Sequence, residues 1–345
     1  MPNRHSRLAK RLAMEAGLVL VGPDALTITR EKRGLGYCFR DADGTLIRDL
    51  ATIDRLRSLA VPPAYRNVRY AADPQAHLQA VGEDAAGRLQ YRYHPEWEKV
   101  REAIKARRLA TLAKALPLIR RQVRRTLCSR ENDIAFCASA IIELTALTAI
   151  RPGSESYARE HGTRGATTLL KSNVRFSEDR ILLTFKGKGG KRIEKEVTSP
   201  RLTKALARLR ELPGRRLFKY LGQDGEVHTM RAGDVNAYLK EISGKSITLK
   251  DFRTLVASLD ALESLLEIEP ATSARARRSQ AQKAIAAVAE DLANTPAVCR
   301  KSYVHVAIVE AFEDGRLARV RKKPQRSRTA ASFELLARIV AGHTS

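Results

Sequence analysis

The 345-residue sequence predicts an α+β fold in two parts. A small, antiparallel, β-rich N-terminal domain comes first, and a larger, mainly α-helical domain holding a three-stranded sheet follows. Three observations carry this reading. Short apolar runs separated by turn residues dominate up to residue 93, and apolar residues at helical spacing dominate from residue 96 onward. Three strand-like runs with tight turns interrupt the helices between residues 173 and 197.

Taken in order, "LVLV" (18–21) and "LTIT" (26–29) flank a turn at Gly22-Pro23-Asp24. "GYCF" (36–39) and "TLI" (45–47) flank Asp41-Ala42-Asp43-Gly44, a hairpin signal. "HLQAV" (77–81) and "LQYRY" (89–93) flank a loop ending at Gly87, and a short helix is expected over 51–59, before Pro62-Pro63. From 96 to 127, Ile104, Leu109, Leu112, Leu116, Ile119 and Val123 recur at helical spacing, with Pro117 expected to kink or split the helix. "DIAFCASAIIELTALTAI" (133–150) is apolar almost all round, which marks a buried helix stopping at Arg151-Pro152-Gly153. Strands are expected near 173–177, 180–186 and 191–197, the last two joined by "KGKGG" (186–190). The basic stretch 271–284 reads as a mobile linker or an exposed helix, and "SFELLARIV" (332–340) as an amphipathic helix.

Lys and Arg outnumber Asp and Glu 63 to 38, for a formal net charge of +25 and a pI near 10.3. An excess of this size opposes compaction unless a polyanion binds, and nucleic acid is the commonest such partner. The four cysteines, at 38, 128, 137 and 299, form no CxxC pair, so neither a zinc site nor a disulfide framework is indicated. A reducing, cytoplasmic setting is the expectation. The basic start lacks the apolar run of a signal peptide, and no stretch approaches the roughly 18 apolar residues of a membrane span.

Five residues carry candidate chemistry. Tyr303, in "VCRKSYVHVA" (298–307), is a phenol beside Arg300 and Lys301, and a tyrosine can act as a nucleophile when its surroundings activate it. Attack on a phosphodiester would need cations or hydrogen-bond donors on the non-bridging oxygens, where charge builds in the transition state. It would also need an acid for the departing oxygen, and a lysine serves if neighbouring cations lower its pKa from about 10.4 toward neutrality. Arg151, Lys188, Arg253 and Asn294 are the candidates, each with a plainer alternative. Arg151 could cap a helix C-terminus, Lys188 could be a solvated turn lysine, Arg253 could pair with Asp251, and Asn294 could be a helix N-cap or turn residue.

In this order and beside this tyrosine, the set resembles the type IB DNA topoisomerases in their compact, poxvirus-like form, also found in bacteria. The resemblance covers nearly the whole chain: "QYRY" (90–93), "IRPGSESY" with Arg151, "GTRGATTLLKSNV" (162–174), "TFKGKGG" with Lys188, "KDFRT" with Arg253, "NTPAVCRKSY" with Tyr303, and "SFELLARIV". It implies Tyr303 as nucleophile, Lys188 as general acid, and Arg151 and Arg253 as clamps on the transition state. Asn294 stands where the poxvirus pattern has a histidine; its amide can donate a hydrogen bond but carries no charge. DNA contacts are implied at Gln90, Tyr91, Arg92 and Tyr93, at Lys250, and at Arg300 and Lys301.

The implied protein is a cytoplasmic, nucleoid-associated monomer that clamps double-stranded DNA. Residues 1–98 would form the N-terminal clamp domain and residues 99–345 the catalytic domain, of tyrosine recombinase/topoisomerase IB-like fold. It would relax supercoils through a 3′-phosphotyrosyl intermediate, strand rotation and religation, with no ATP, cofactor or metal. A tyrosine site-specific recombinase shares the Arg–Lys–Arg–Tyr chemistry, but usually places a histidine where Lys250 stands and has a helical N-terminal domain. A non-catalytic basic DNA-binding protein would satisfy the charge alone.

Overall fold

The computed structural model describes residues 7–320 and 330–342, and its chain divides into two compact units, Met1–Lys105 and Ala106–Ser345. The N-terminal unit begins with α1 (Arg7–Glu15) and holds strands β1 (Ile28–Arg33), β2 (Gly36–Arg40), β3 (Arg66–Tyr70), β4 (Leu78–Glu83) and β5 (Leu89–Tyr93), with α2 (Leu50–Ser58) between β2 and β3. The strands form one antiparallel sheet in the order β2-β1-β3-β4-β5.

Two expected strands of this unit differ. "LVLV" contributes a single parallel bridge from Val19 to Ala76, and "TLI" a single bridge from Leu46 to Arg40. Gly22-Pro23-Asp24 leads into a short 3-10 turn rather than a hairpin, because the partner of Val19 is the distant Ala76. The hairpin on β2 lies on its other side, where Gly34 at φ +57° and Leu35 make the two-residue turn from β1. Ile28, Phe39, Val68, Tyr70 and Ala80 pack with Leu56 of α2 to form one core of the sheet.

Helix α3 (Pro95–Thr126) starts in the N-terminal unit and ends in the second. It runs unbroken across Pro117. A proline removes one backbone hydrogen bond, and Leu112, Leu116 and Ile119, all buried around it, hold the helix together through packing.

The second unit continues with α4 (Ile134–Thr148) and α5 (Glu155–His161), then β6 (Val174–Ser177), β7 (Arg180–Lys186) and β8 (Arg192–Thr198). α6 (Pro200–Glu211), β9 (Lys219–Leu221), β10 (Val227–Thr229), α7 (Ala232–Ser243) and α8 (Leu249–Glu267) follow. The chain closes with α9 (Ala274–Asp291), α10 (Pro296–Ser302), α11 (Val306–Glu313), α12 (Arg316–Val320) and α13 (Ala330–Gly342). Strands β6, β7 and β8 make the antiparallel three-stranded sheet that the turn pattern implies. α4 is capped by Asp133, which accepts from Phe136 N at 2.7 Å, and it packs against α6, α7 and α8 at the centre of one continuous core.

The stretch 271–284 is not a linker but the largely exposed start of a helix, the second of the two readings. It opens α9, whose Ala281, Ala284, Ile285, Val288 and Ala289 form one buried stripe against α8, α10 and α11. Arg277 fastens its start, donating to the carbonyls of Glu313, Ala271 and Thr272. The basic run 319–329 lies, from residue 321 on, outside the described residues.

Candidate active site

Two left-handed alanines shape the site. α4 ends at Ala149, φ +51°, whose N–H reaches Thr145 O at 2.9 Å, and Arg151 follows two residues later. α9 ends at Ala293, φ +50°, where Asn294 N donates back to Ala289 O at 2.8 Å in a Schellman-type closure. Both turns stop a helix abruptly and hold the next polar side chain on a rigid base. Such positive φ values cost an alanine roughly 1–2 kcal/mol, so packing around the turns has to offset that strain.

Arg253 lies on the second turn of α8 and is 3% exposed. It donates through Nη1 to Ala149 O and through Nη2 to Leu292 O at 2.5 Å. One guanidinium therefore ties together the two helix ends that present Arg151 and Asn294. Its Nε is buried with no hydrogen-bond partner in the protein. Burial lowers its pKa, the charge of Arg151 adds to that, and Tyr303 opposes it. Asp251, the surface partner considered for Arg253, instead binds Arg108, with Nη2 to Oδ2 at 2.5 Å, and caps α8 through Thr248 N at 2.8 Å.

Arg151 donates from Nη2 to Asn294 Oδ1 at 2.5 Å. Arginine has no acceptor, so this bond sets the amide's orientation and leaves Nδ2 as a buried donor without a partner. Asn294 does not cap α10. That role belongs to Thr295, which accepts from Val298 N.

The backbone of Arg151–Gly153 is braced by the segment that follows α5. Ala166 N donates to Arg151 O and Thr167 N to Pro152 O, both at 2.8 Å. A side chain at Gly165 would put its Cβ 2.5 Å from Arg151 O and from Gly153 N, so only glycine lets the two segments approach this closely.

Lys188 sits, exposed, in the tight turn between β7 and β8, closed by Gly187 N to Lys191 O at 2.7 Å. Gly189 and Gly190 take φ +73° and +78° there. Arg151, Lys188 and Arg253 line a single pocket with Arg164, Lys195 and Asp291, over apolar Phe185 and Ile193. Asp291 is held by Lys195. Five cations thus face one neutralised carboxylate, an arrangement that attracts an anion and gives it forked donors.

Tyr303 ends α10, half-buried, outside the lining of that pocket. Its ring lies under the Arg253 guanidinium, 4.8 Å from Cζ to centroid, and its carbonyl accepts from Ser258 Oγ at 3.0 Å. The structure therefore brings Arg151, Lys188, Arg253, Asn294 and Tyr303 into one neighbourhood by a shared pocket, a hydrogen bond and a ring contact. Lys250 is exposed on the first turn of α8, and Arg300 and Lys301 are exposed at the end of α10. Arg164, Lys195 and Asp291 were not singled out in the sequence. Only Arg164 lies in a motif that could have flagged it.

The remaining candidates lie on β5 of the N-terminal unit. Tyr91 and Tyr93 are 41% and 38% exposed and stack with centroids 6.3 Å apart, and Tyr93 also packs against the buried Trp97 and His77. Arg92 donates to Ala60 O at 3.1 Å and Gln90 to Asp84 Oδ2 at 2.9 Å. Gln90, Tyr91 and Arg92 line one small cleft of this unit.

Residues 95–330 match the family model for the catalytic core of eukaryotic DNA topoisomerase I, and residues 36–84 match that for the N-terminal domain of bacterial DNA topoisomerase IB. DNA topoisomerase 1B of Acanthamoeba polyphaga mimivirus is 32% identical over 302 residues, covering 83% of this chain and 88% of the viral one. DNA topoisomerase 1B of vaccinia virus and DNA topoisomerase I of monkeypox virus are each 25% identical over 247 residues, covering 68% of this chain and 72% of theirs.

Proposed function

The chain belongs to the type IB DNA topoisomerase family, and from that premise we propose how its own residues relax supercoiled DNA. The Tyr303 hydroxyl gives its proton to solvent water as it attacks a backbone phosphorus. A bond from the phenolic oxygen to phosphorus forms as the bond to the 5′ oxygen breaks, leaving a 3′-phosphotyrosyl ester and a free 5′-hydroxyl. Lys188 gives the leaving oxygen its proton. Arg151, Arg253 through its unpaired Nε, and Asn294 through its unpaired Nδ2 hold the non-bridging oxygens. The cut strand rotates, and the reverse reaction reseals it.

The ester conserves the energy of the phosphodiester, so no ATP is needed, and the cations that a metal would supply are side chains. The observation that carries this reading is the joint placement of Arg151, Lys188 and Arg253 in one pocket, with Arg253 over the Tyr303 ring. A monomer would act on double-stranded DNA in the cytoplasm, associated with the nucleoid. Residues 1–98 would contribute contacts from Gln90, Tyr91, Arg92 and Tyr93, and residues 99–345 would contribute Lys250, Arg300 and Lys301 beside the catalytic groups.

The test is relaxation of supercoiled plasmid in EDTA without ATP, comparing the wild type with Tyr303→Phe. Relaxation by the wild type, its loss in the variant, and a covalent adduct on the 3′ side are the expected results. A wild type that binds DNA yet forms no adduct sinks the catalytic assignment.

A further inference from the structure

A second cluster of cations adjoins the catalytic pocket. Arg159, Arg164, Arg215 and Arg216 line one open cavity with Ala158 and Leu170, and Arg164 also lines the pocket of Arg151, Lys188 and Arg253. The four arginines come from three segments: α5, the loop after it, and the chain leading into β9.

Backbone bonds fix these segments against the catalytic residues. Arg164 N donates to Lys186 O at 2.7 Å, at the base of the hairpin that carries Lys188. The next residue, Gly165, lies directly on the backbone of Arg151 and Gly153. Lys171 N donates to Arg215 O at 3.0 Å, and Leu170 bridges Arg216. The backbones of Arg164, Arg215 and Arg216 are therefore held at set positions relative to the catalytic pocket.

Charge in the cluster is under-compensated. Glu155 pairs with Arg216, Oε2 to Nη2 at 2.5 Å, while Glu155 Oε1 and Arg216 Nη1 are buried without hydrogen-bond partners. Burial lowers the pKa of Arg164, and the charge of Arg216 lowers it further. An anion in the cavity would accept from Arg216 Nη1 and stabilise the charged form of Arg164, while Glu155 Oε1, itself an acceptor, would have to face away from it. The forked guanidinium suits phosphate oxygens, and the continuity through Arg164 puts such an anion beside the one in the catalytic pocket.

We propose that Arg159, Arg164, Arg215 and Arg216 form a second phosphodiester subsite, which grips a DNA phosphate neighbouring the one held at Arg151. It rests on the reading that DNA occupies the catalytic pocket. It adds to that reading a fixed grip on the flanking backbone, which sets the scissile phosphate in register with Tyr303.

The experiment uses the full chain and a duplex with one mapped cleavage site. Each flanking phosphate is replaced in turn by a neutral methylphosphonate. One flanking position should weaken wild-type binding roughly tenfold when neutralised, as expected for a lost charge-assisted bond. Arg164→Gln and Arg216→Gln should each weaken binding to the unmodified duplex, reduce its salt slope by about one, and show no further loss at that same position. Absence of any sensitive flanking position in the wild type overturns the proposal, and so do losses that simply multiply in the variants. The substrate-side change leaves the protein's folding untouched. Formation of the Tyr303 adduct on the unmodified duplex is scored in the same assay, so failure of the catalytic reading is seen separately.

Discussion

Arg151 holds Asn294 by a 2.5 Å hydrogen bond from Nη2 to Oδ1, so the amide faces the arginine with its acceptor and keeps its donor for another group. Asn294→Asp preserves the acceptor and removes the donor, while adding a negative charge where a phosphate oxygen is to be held. Its single-turnover cleavage rate should fall roughly 100-fold, the scale of losing one transition-state donor. Asn294→His restores a donor that can carry charge and should cleave as fast as the wild type or faster. A large loss for the histidine variant would mean that the Arg151 bond, and not donation to the phosphate, is what the position supplies.

Lys188 shares its pocket with both arginines but sits on an exposed turn, so its removal leaves the core intact. Lys188→Ala should lose roughly 100-fold or more in cleavage of ordinary DNA, within the range of a general acid's contribution. On a substrate whose 5′-bridging oxygen is replaced by sulfur, the leaving thiolate needs no proton, and most of that loss should vanish. An equal loss on both substrates would assign Lys188 to phosphate binding instead.

Gly165 has no room for a side chain beside Arg151 O and Gly153 N. Gly165→Ala should destabilise the fold by about 1–3 kcal/mol, because the obstructing atoms are backbone and cannot turn aside. Urea unfolding measures this, and cleavage should fall as well, since Arg151 moves with its backbone. Unchanged stability and unchanged cleavage together would mean that the two segments separate freely.

The turn before β5 provides an acid-sensitive point. Asp84 is held down to about 2 from an ordinary 3.8, chiefly by the backbone N–H of Arg88 and then by its side chain. A carboxylate with a lowered pKa in the folded state contributes stability above its unfolded value, and loses it as pH falls through the folded one. Protection of the Ala86 and Arg88 amides, whose N–H groups bond Asp84 Oδ1, measured against the intrinsic exchange rate at each pH, should therefore fall between about pH 4 and about pH 2. Asp84→Asn should abolish that pH dependence, and its persistence in the variant would assign the titration to another group.

Much of the fold was legible because the pattern and the local chemistry agree. The β4–β5 pair, the buried α4, the hairpin that carries Lys188 and the last helix all lie where alternation, helical spacing or turn residues put them. Where the structure departs from the pattern, the causes differ. Val19 bonds beside Ala76, which leaves "LVLV" without the neighbouring hairpin its turn residues implied. The basic start of α9 is an exposed helix, as one of its two readings had it, and the alanines further along it lie against neighbouring helices, where small side chains are what fits. Pro117 did not split α3, because burial of the surrounding leucines outweighs one missing backbone bond.

The sequence by itself determined which chemical groups are present and in what order: a phenol at 303, arginines at 151 and 253, a lysine in a glycine-rich turn and an amide at 294. Those properties belong to side-chain types and their immediate neighbours, so they can be read along the chain. The tertiary structure decided how each group is engaged. Arg253 commits two donors to the carbonyls of Ala149 and Leu292, Asn294 is turned by Arg151, and Arg164 joins a second arginine cluster to the first. These outcomes depend on backbone carbonyls, which every residue carries, and on helix ends that stop at alanines instead of glycines. No residue type marks such partners in advance, so only the packed chain reveals them.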